Sequence, residues 1–232
     1  MTLEVLDDAE SVARHAAEAI AGEARAAVKA RGCFTVAISG GRTPWAMLSA
    51  LSDLDLPWAH VRVLQVDERI ASEGHADRNL THMRESLLAS GSGDAKQIVA
   101  MPVGSADLEE AAARYARTLV ELAGSPPVLD LVHLGMGADG HTASLVPGDT
   151  VLDVVDRDVA LTGVYQGRRR MTLTYPALNR ARRVLWLITG QDKAAMLPRL
   201  LRGDPTIPAG RVRQDDAVVL ADRAAAQQRE EA

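Results

Sequence analysis

Five short runs of this chain are predominantly apolar: Cys33–Ser39 (CFTVAIS), Val61–Asp67 (VRVLQVD), Leu129–Gly135 (LDLVHLG), Arg183–Thr189 (RVLWLIT) and Ala217–Asp222 (AVVLAD). A strand with one wet face alternates apolar and polar residues, whereas runs like these belong to strands buried on both faces. Helix signals lie between them. Asp7 or Asp8 can cap an Ala-rich helix reaching about Lys29, and Gly32 stops it. Pro44 suits the first turn of a helix over about Trp45–Leu51. Further helices are expected over about Asn79–Ser90 (closed by Gly91), Asp107–Ala123 and Asp192–Leu201. Ile98–Met101 reads as a short strand, and Val159–Val164 and Met171–Thr174 as strands flanking a basic turn. Doubly buried strands separated by helices predict an α/β fold: a mostly parallel sheet with helices on both sides. Nothing marks a domain boundary, so residues 1–232 read as a single domain with a polar tail over 223–232.

Composition narrows the function classes. A net charge of −5 makes nucleic acid a poor partner, since nucleic-acid binders carry a basic face. The single cysteine, Cys33, excludes an internal disulfide framework and a multi-cysteine zinc site. The N-terminus MTLEVLDDAE lacks the basic and apolar regions of a signal peptide, and no run approaches the roughly 18 apolar residues of a membrane span. A cytoplasmic protein with no membrane contact is the expectation.

In open α/β sheets, ligands bind beyond the carboxyl ends of the strands. Four such ends are polar or Gly-rich here: Ser39-Gly40-Gly41-Arg42-Thr43, Asp67-Glu68-Arg69, Gly135 to Thr142 (GMGADGHT), and Thr189 to Lys193 (TGQDK). A parallel sheet brings them to one edge. The first has two readings. It is either a tight strand–helix turn, or a loop whose backbone N–H groups and following helix end receive an anion. Ala37-Ile38-Ser39-Gly40-Gly41 is also a loose nucleophile elbow, with Ala in place of the first Gly. GMGADG matches G-x-G-x-x-G, but Pro147 and Gly148 interrupt the helix that a dinucleotide site needs. Its glycines instead suit a loop presenting Asp139 and His141.

His141 can serve as a general base near neutral pH. His133 lies mid-strand and reads as a core histidine. Arg168–Arg170 is a charge run of the solvated kind, but Arg170 opens a strand that can aim it into a cleft. Lys193 after a strand can reach an anion at the strand ends. Arg69 either shares that cleft or pairs with Asp67 and Glu68. Together these features suit a small, phosphorylated, oxygen-rich substrate.

The motifs SGGRTP, VDER, HADRNLTHMRESLL, DLVHLGMGADGHTASLVPG, RMTLTYPALNRAR and TGQDK, in this order, resemble the 6-phosphogluconolactonase family from about Val36 to Leu220. Its wider superfamily includes glucosamine-6-phosphate deaminase. The resemblance implies a Rossmann-like three-layer α/β sandwich and hydrolysis of 6-phospho-D-glucono-1,5-lactone in the oxidative pentose phosphate pathway. It implies His141 as the base that activates water, Arg69 near the reacting carbonyl, and Asp67 and Asp139 orienting sugar hydroxyls, His141 or the water. Ser39, Gly40, Gly41, Arg42, Thr43, Arg170 and Lys193 are implied to bind the phosphate. No metal or cofactor is expected. The deaminase carries an acidic residue shortly after its D-G-H, in an N-E-P context. Here the equivalent stretch is Leu145-Val146-Pro147, which favours the lactonase; Val146 stands where that pattern usually has Phe. A ring-opening isomerase or deaminase, and a non-catalytic sugar-phosphate sensor, are the competing readings.

Overall fold

The computed structural model describes residues 1–88 and 97–227. Its elements in chain order are β1 (Thr2–Leu6), α1 (Ala9–Arg31), β2 (Phe34–Ile38), α2 (Arg42–Ser52), β3 (Val61–Gln65), β4 (Asp67–Arg69), α3 (Asn79–Leu87), β5 (Ile98–Val99) and α4 (Leu108–Ala123). Then follow β6 (Leu131–Leu134), β7 (Val159–Leu161), β8 (Arg170–Leu173), α5 (Tyr175–Arg180), β9 (Arg183–Ile188), α6 (Leu197–Leu201), β10 (Ala217–Asp222) and α7 (Arg223–Ala226).

The five apolar runs become β2, β3, β6, β9 and β10 of a seven-stranded sheet, ordered β1-β10-β9-β6-β2-β3-β5. Every pairing in it is parallel. Successive residues of each strand face opposite ways, and the chain uses both directions. Val36, Ile38, Val61, Val63, Leu131, Leu185 and Leu187 join the core beneath α1, α2 and α3. Ala37, Leu64, Val132, Leu134, Val184, Trp186 and Ile188 join the core beneath α4, α5 and α6. The fold class is therefore the expected single-domain, three-layer α/β arrangement. None of the described helices is long and apolar enough to cross a membrane.

The long helices obey their local signals. Asp8 accepts the Ser11 N–H to start α1, and Gly32, at φ 79°, stops it in the left-handed conformation. Asp107 accepts the Glu110 N–H to start α4, and Gly124 follows its last residue.

Three expectations need correction. The run Val61–Asp67 is not one strand: β3 ends at Gln65, and β4 joins a separate antiparallel sheet of order β4-β8-β7. The helix expected over Asp192–Leu201 is a 3₁₀ turn over Gln191–Lys193 followed by α6, which begins with Pro198 in its first turn. Proline has no N–H to continue a preceding helix, so the helix starts afresh there. Residues 223–226 of the expected tail form α7, capped by Asp222, while 228–232 lie outside the described residues. The elements β1 and α5 have no counterpart in the sequence reading. The stop expected at Gly91, with residues 89–90, also lies outside the described residues.

The order of the sheet locates the crevice. From β2 the chain moves outward to β3, then returns to lay β6 on the other side of β2. Loops leaving β2 and β6 diverge at such a switch point and open a cleft above the carboxyl edge.

Candidate active site

All four polar strand ends line one cavity of about 620 Å³ at this edge. Ser39 to Thr43, Asp67, Arg69, His141, Arg170 and Lys193 contribute to its wall. Asp139 stands behind His141, so the structure brings every expected site residue together.

The loop after β2 enters α2 with Gly41 at its N-cap, at φ 138° and with no side-chain cap. The first N–H groups of α2 thus lack a capping side chain beside the cavity, as suits an anion. Thr43 Oγ1 contacts Thr189 Oγ1 at 2.7 Å, joining this loop to the end of β9. Gly40 is required for a close approach: a Cβ there would fall 2.1 Å from Asn79 Oδ1. Lys193 Nζ donates to Asp192 at 2.7 Å, and Gly190 N–H donates to Asp222. Lys193 stands in the 3₁₀ turn rather than in a helix.

The loop after β6 folds back on itself through Gly137 N–H donating to His141 O at 2.8 Å. No α-helix begins there, so GMGADG is not a dinucleotide fingerprint. The loop presents Asp139 and His141 together: His141 Nδ1 lies 2.6 Å from Asp139 Oδ1. That carboxylate also accepts the His141 backbone N–H at 3.1 Å. Burial alone would raise the Asp139 pKa. The His141 N–H, the imidazole and the Tyr165 hydroxyl outweigh it and hold the carboxyl below its ordinary range. An ionised Asp139 accepts the Nδ1 proton, which leaves Nε2 as the basic nitrogen. The partner of His141 is therefore Asp139.

Asp67 does different work. It is buried, and its Oδ2 accepts from Ser144 Oγ at 2.6 Å. Burial pushes its pKa up, opposed by Ser144, Arg170 and Arg69. The neighbouring Glu68 is fully buried and accepts from the Asn79 and Leu80 N–H groups, so it caps α3. It also pairs with Arg78 at 3.2 Å. Arg69 donates to Asp77 O and to Asn79 Oδ1, both at 2.9 Å.

Strand β8 lies antiparallel to β4 with Arg170 directly opposite Arg69. Like charges in cross-strand register repel unless an anion joins them. Arg170 is 4% exposed, and its Nε has no partner among the described residues. Ser39 Oγ, also buried, has none either. Both groups line the cavity, where a bound oxygen-rich molecule can satisfy them. The serine elbow gains no support, because Ser39 contacts a histidine only through its N–H, donated to His133 Nδ1 at 3.3 Å.

Sequence reasoning missed Asn79, Ser144 and Tyr165. Asn79 and Ser144 sit inside recognised motifs with no feature marking them. Tyr165 flanks the Gln166-Gly167 pair of a two-residue hairpin turn, which was the available signal.

The family model described as glucosamine-6-phosphate isomerases/6-phosphogluconolactonase matches residues 7–220. A 6-phosphogluconolactonase of Nostoc sp. is 36% identical over 203 residues, covering 86% of this chain and 84% of that protein. A 6-phosphogluconolactonase of Synechocystis sp. is 40% identical over 171 residues, covering 72% of this chain and 71% of its own. Among solved structures, the 6-phosphogluconolactonase of Thermotoga maritima superposes with a TM-score of 0.83 at 26% identity, covering 95% of this chain and 98% of that one.

Proposed function

The chain belongs to the glucosamine-6-phosphate isomerase/6-phosphogluconolactonase family, and from that membership we propose that it hydrolyses 6-phospho-D-glucono-1,5-lactone to 6-phosphogluconate, with His141 as the general base. The observation that carries the chemical role is the 2.6 Å contact from Asp139 to His141 Nδ1, which leaves Nε2 free to take a proton from water. Water attacks the lactone carbonyl and its proton passes to Nε2. The tetrahedral intermediate then expels the ring oxygen, which recovers that proton. Arg69 and Arg170, in cross-strand register, offer positive charge to the developing oxyanion and the substrate's negative groups. The uncapped α2 N-terminus, with Ser39, Gly40, Gly41, Arg42 and Thr43, receives the phosphate together with Arg170 and Lys193. Anchoring the phosphate holds C1 near His141 and turns remote binding into orientation. Asp67, held by Ser144, orients sugar hydroxyls.

The amino-sugar deaminase reading lacks its carboxylate. Leu145 and Val146, four and five residues beyond His141, are buried apolar residues. The same proposal treats residues 1–232 as one sugar-phosphate lactonase domain working in the cytoplasm. The test offers the purified chain lactone generated in situ and, separately, glucosamine 6-phosphate. Acid release above the spontaneous rate with no ammonia release is expected. Ammonia release without lactone hydrolysis would overturn the reading.

A further inference from the structure

The hairpin joining β7 to β8 brings Tyr165 against His141, which lines the cavity. Its tip is a two-residue turn with Gln166 at φ 51° and Gly167 at φ 78°, closed by Tyr165 N–H to Arg168 O at 2.9 Å. Positive φ at both central residues is the twist that a tight hairpin needs. This turn is tied down by Arg168, whose Nε donates to Asp77 at 2.7 Å. Tyr165 is thereby held in a fixed place. Its hydroxyl donates to Asp139 Oδ2 at 3.2 Å. Its ring meets the His141 ring edge-on, with centroids 5.4 Å apart. The Arg170 guanidinium lies 5.1 Å from the centre of the same ring.

We propose that Tyr165 is a positioning residue for the lactonase reaction, setting both the orientation and the basicity of the Asp139–His141 pair while its ring seats Arg170. The inference rests on the reading of His141 as the base. With Tyr165 on Oδ2, the carboxylate keeps Oδ1 for the imidazole and shares its charge between two donors. A carboxylate already neutralised in part attracts the imidazolium less, so removing the hydroxyl should strengthen that attraction. The hydroxyl remains a donor, because burial and the Asp139 charge both push the Tyr165 pKa up. The charged groups facing the trio are Arg170, and beyond it Asp67 and Arg69. The variant Tyr165→Phe changes none of them.

Tyr165→Phe keeps the ring and removes only the donor. It is expected to lower kcat several-fold and to shift the acid limb of kcat/KM upward by about half a pH unit. An NMR titration of the His141 imidazole in both proteins should show the same upward shift without relying on turnover. Tyr165→Leu, which also unseats Arg170, should add a rise in KM. The residue is half-buried on a turn, so both variants should fold. Unchanged pH profile and His141 titration in Tyr165→Phe would overturn the proposal. If His141→Ala kept full turnover, the reading of the base would fail instead, while the NMR titration would still report on the hydroxyl.

Discussion

At the scale of single residues, the chemistry rests on few contacts. Asp139 and His141 were legible because a short polar pair sat in a Gly-rich strand end. Their pairing was not, since Asp67 stood as an equal alternative until the structure gave it to Ser144. Asn79 shows why some of the site stays hidden. Its amide reaches the Asp67 carbonyl at 3.0 Å and its oxygen receives Arg69. A residue that works by tying the start of α3 to β4 has no local pattern to betray it. For the proposed phosphate anchors, Lys193→Ala and Arg170→Ala are expected to raise KM about tenfold or more with a smaller effect on kcat, measured by steady-state acid release. Unchanged kinetics in the double variant would remove both residues from the phosphate site.

At the scale of elements, glycines decide whether loops can hold the site. A Cβ on Gly137 would fall 2.1 Å from His141 Nδ1 and 2.5 Å from Asp139 Oδ1. No Cβ is tolerated at such separations, so Gly137→Ala is expected to separate the pair. Turnover should drop by about 10²-fold or more, the size of a lost general base, with circular dichroism and melting temperature nearly unchanged. Full activity in Gly137→Ala would mean that the pair as placed is not used. The helices with clear caps, α1 and α4, were legible almost to the residue. The misread elements have physical reasons. In β1, three of its five residues are exposed at the sheet edge, so it shows no apolar run. The helix expected across residues 192–201 ignored Pro198. The boundary between β3 and β4 is invisible because Gln65 and Asp67 are polar yet buried, their side chains accepting from the remote Met101 N–H and Ser144 hydroxyl.

At the scale of the whole molecule, one sheet separates two apolar cores and delivers its strand ends to a single edge. The sequence patterns announced the layers, because runs apolar on both faces have nowhere else to go. Strand order was not legible, and with it the switch between β2 and β6 that opens the cleft. Beneath that cleft lies His133, fully buried, with its Nε2 unpartnered among the described residues. Burial pushes its pKa down to about 3, against an ordinary value of about 6.5. Between these two values the unfolded chain binds a proton that the folded chain does not. Stability therefore falls as pH drops from about 6.5 toward 3, by up to about 1.4 kcal/mol per pH unit. Urea midpoints at pH 7 and pH 5 should differ less in His133→Leu than in the unaltered chain. Equal differences would place the proton uptake elsewhere.

The proposed activity of this cavity is hydrolysis of a phosphorylated sugar lactone with His141 as the base. The measurement closest to it follows acid release from lactone generated in situ, above the spontaneous rate, for the unaltered chain and for His141→Ala. Rapid release by the unaltered chain and a loss of about 10²–10⁴-fold in the variant are expected. Equal rates from the two proteins would contradict it.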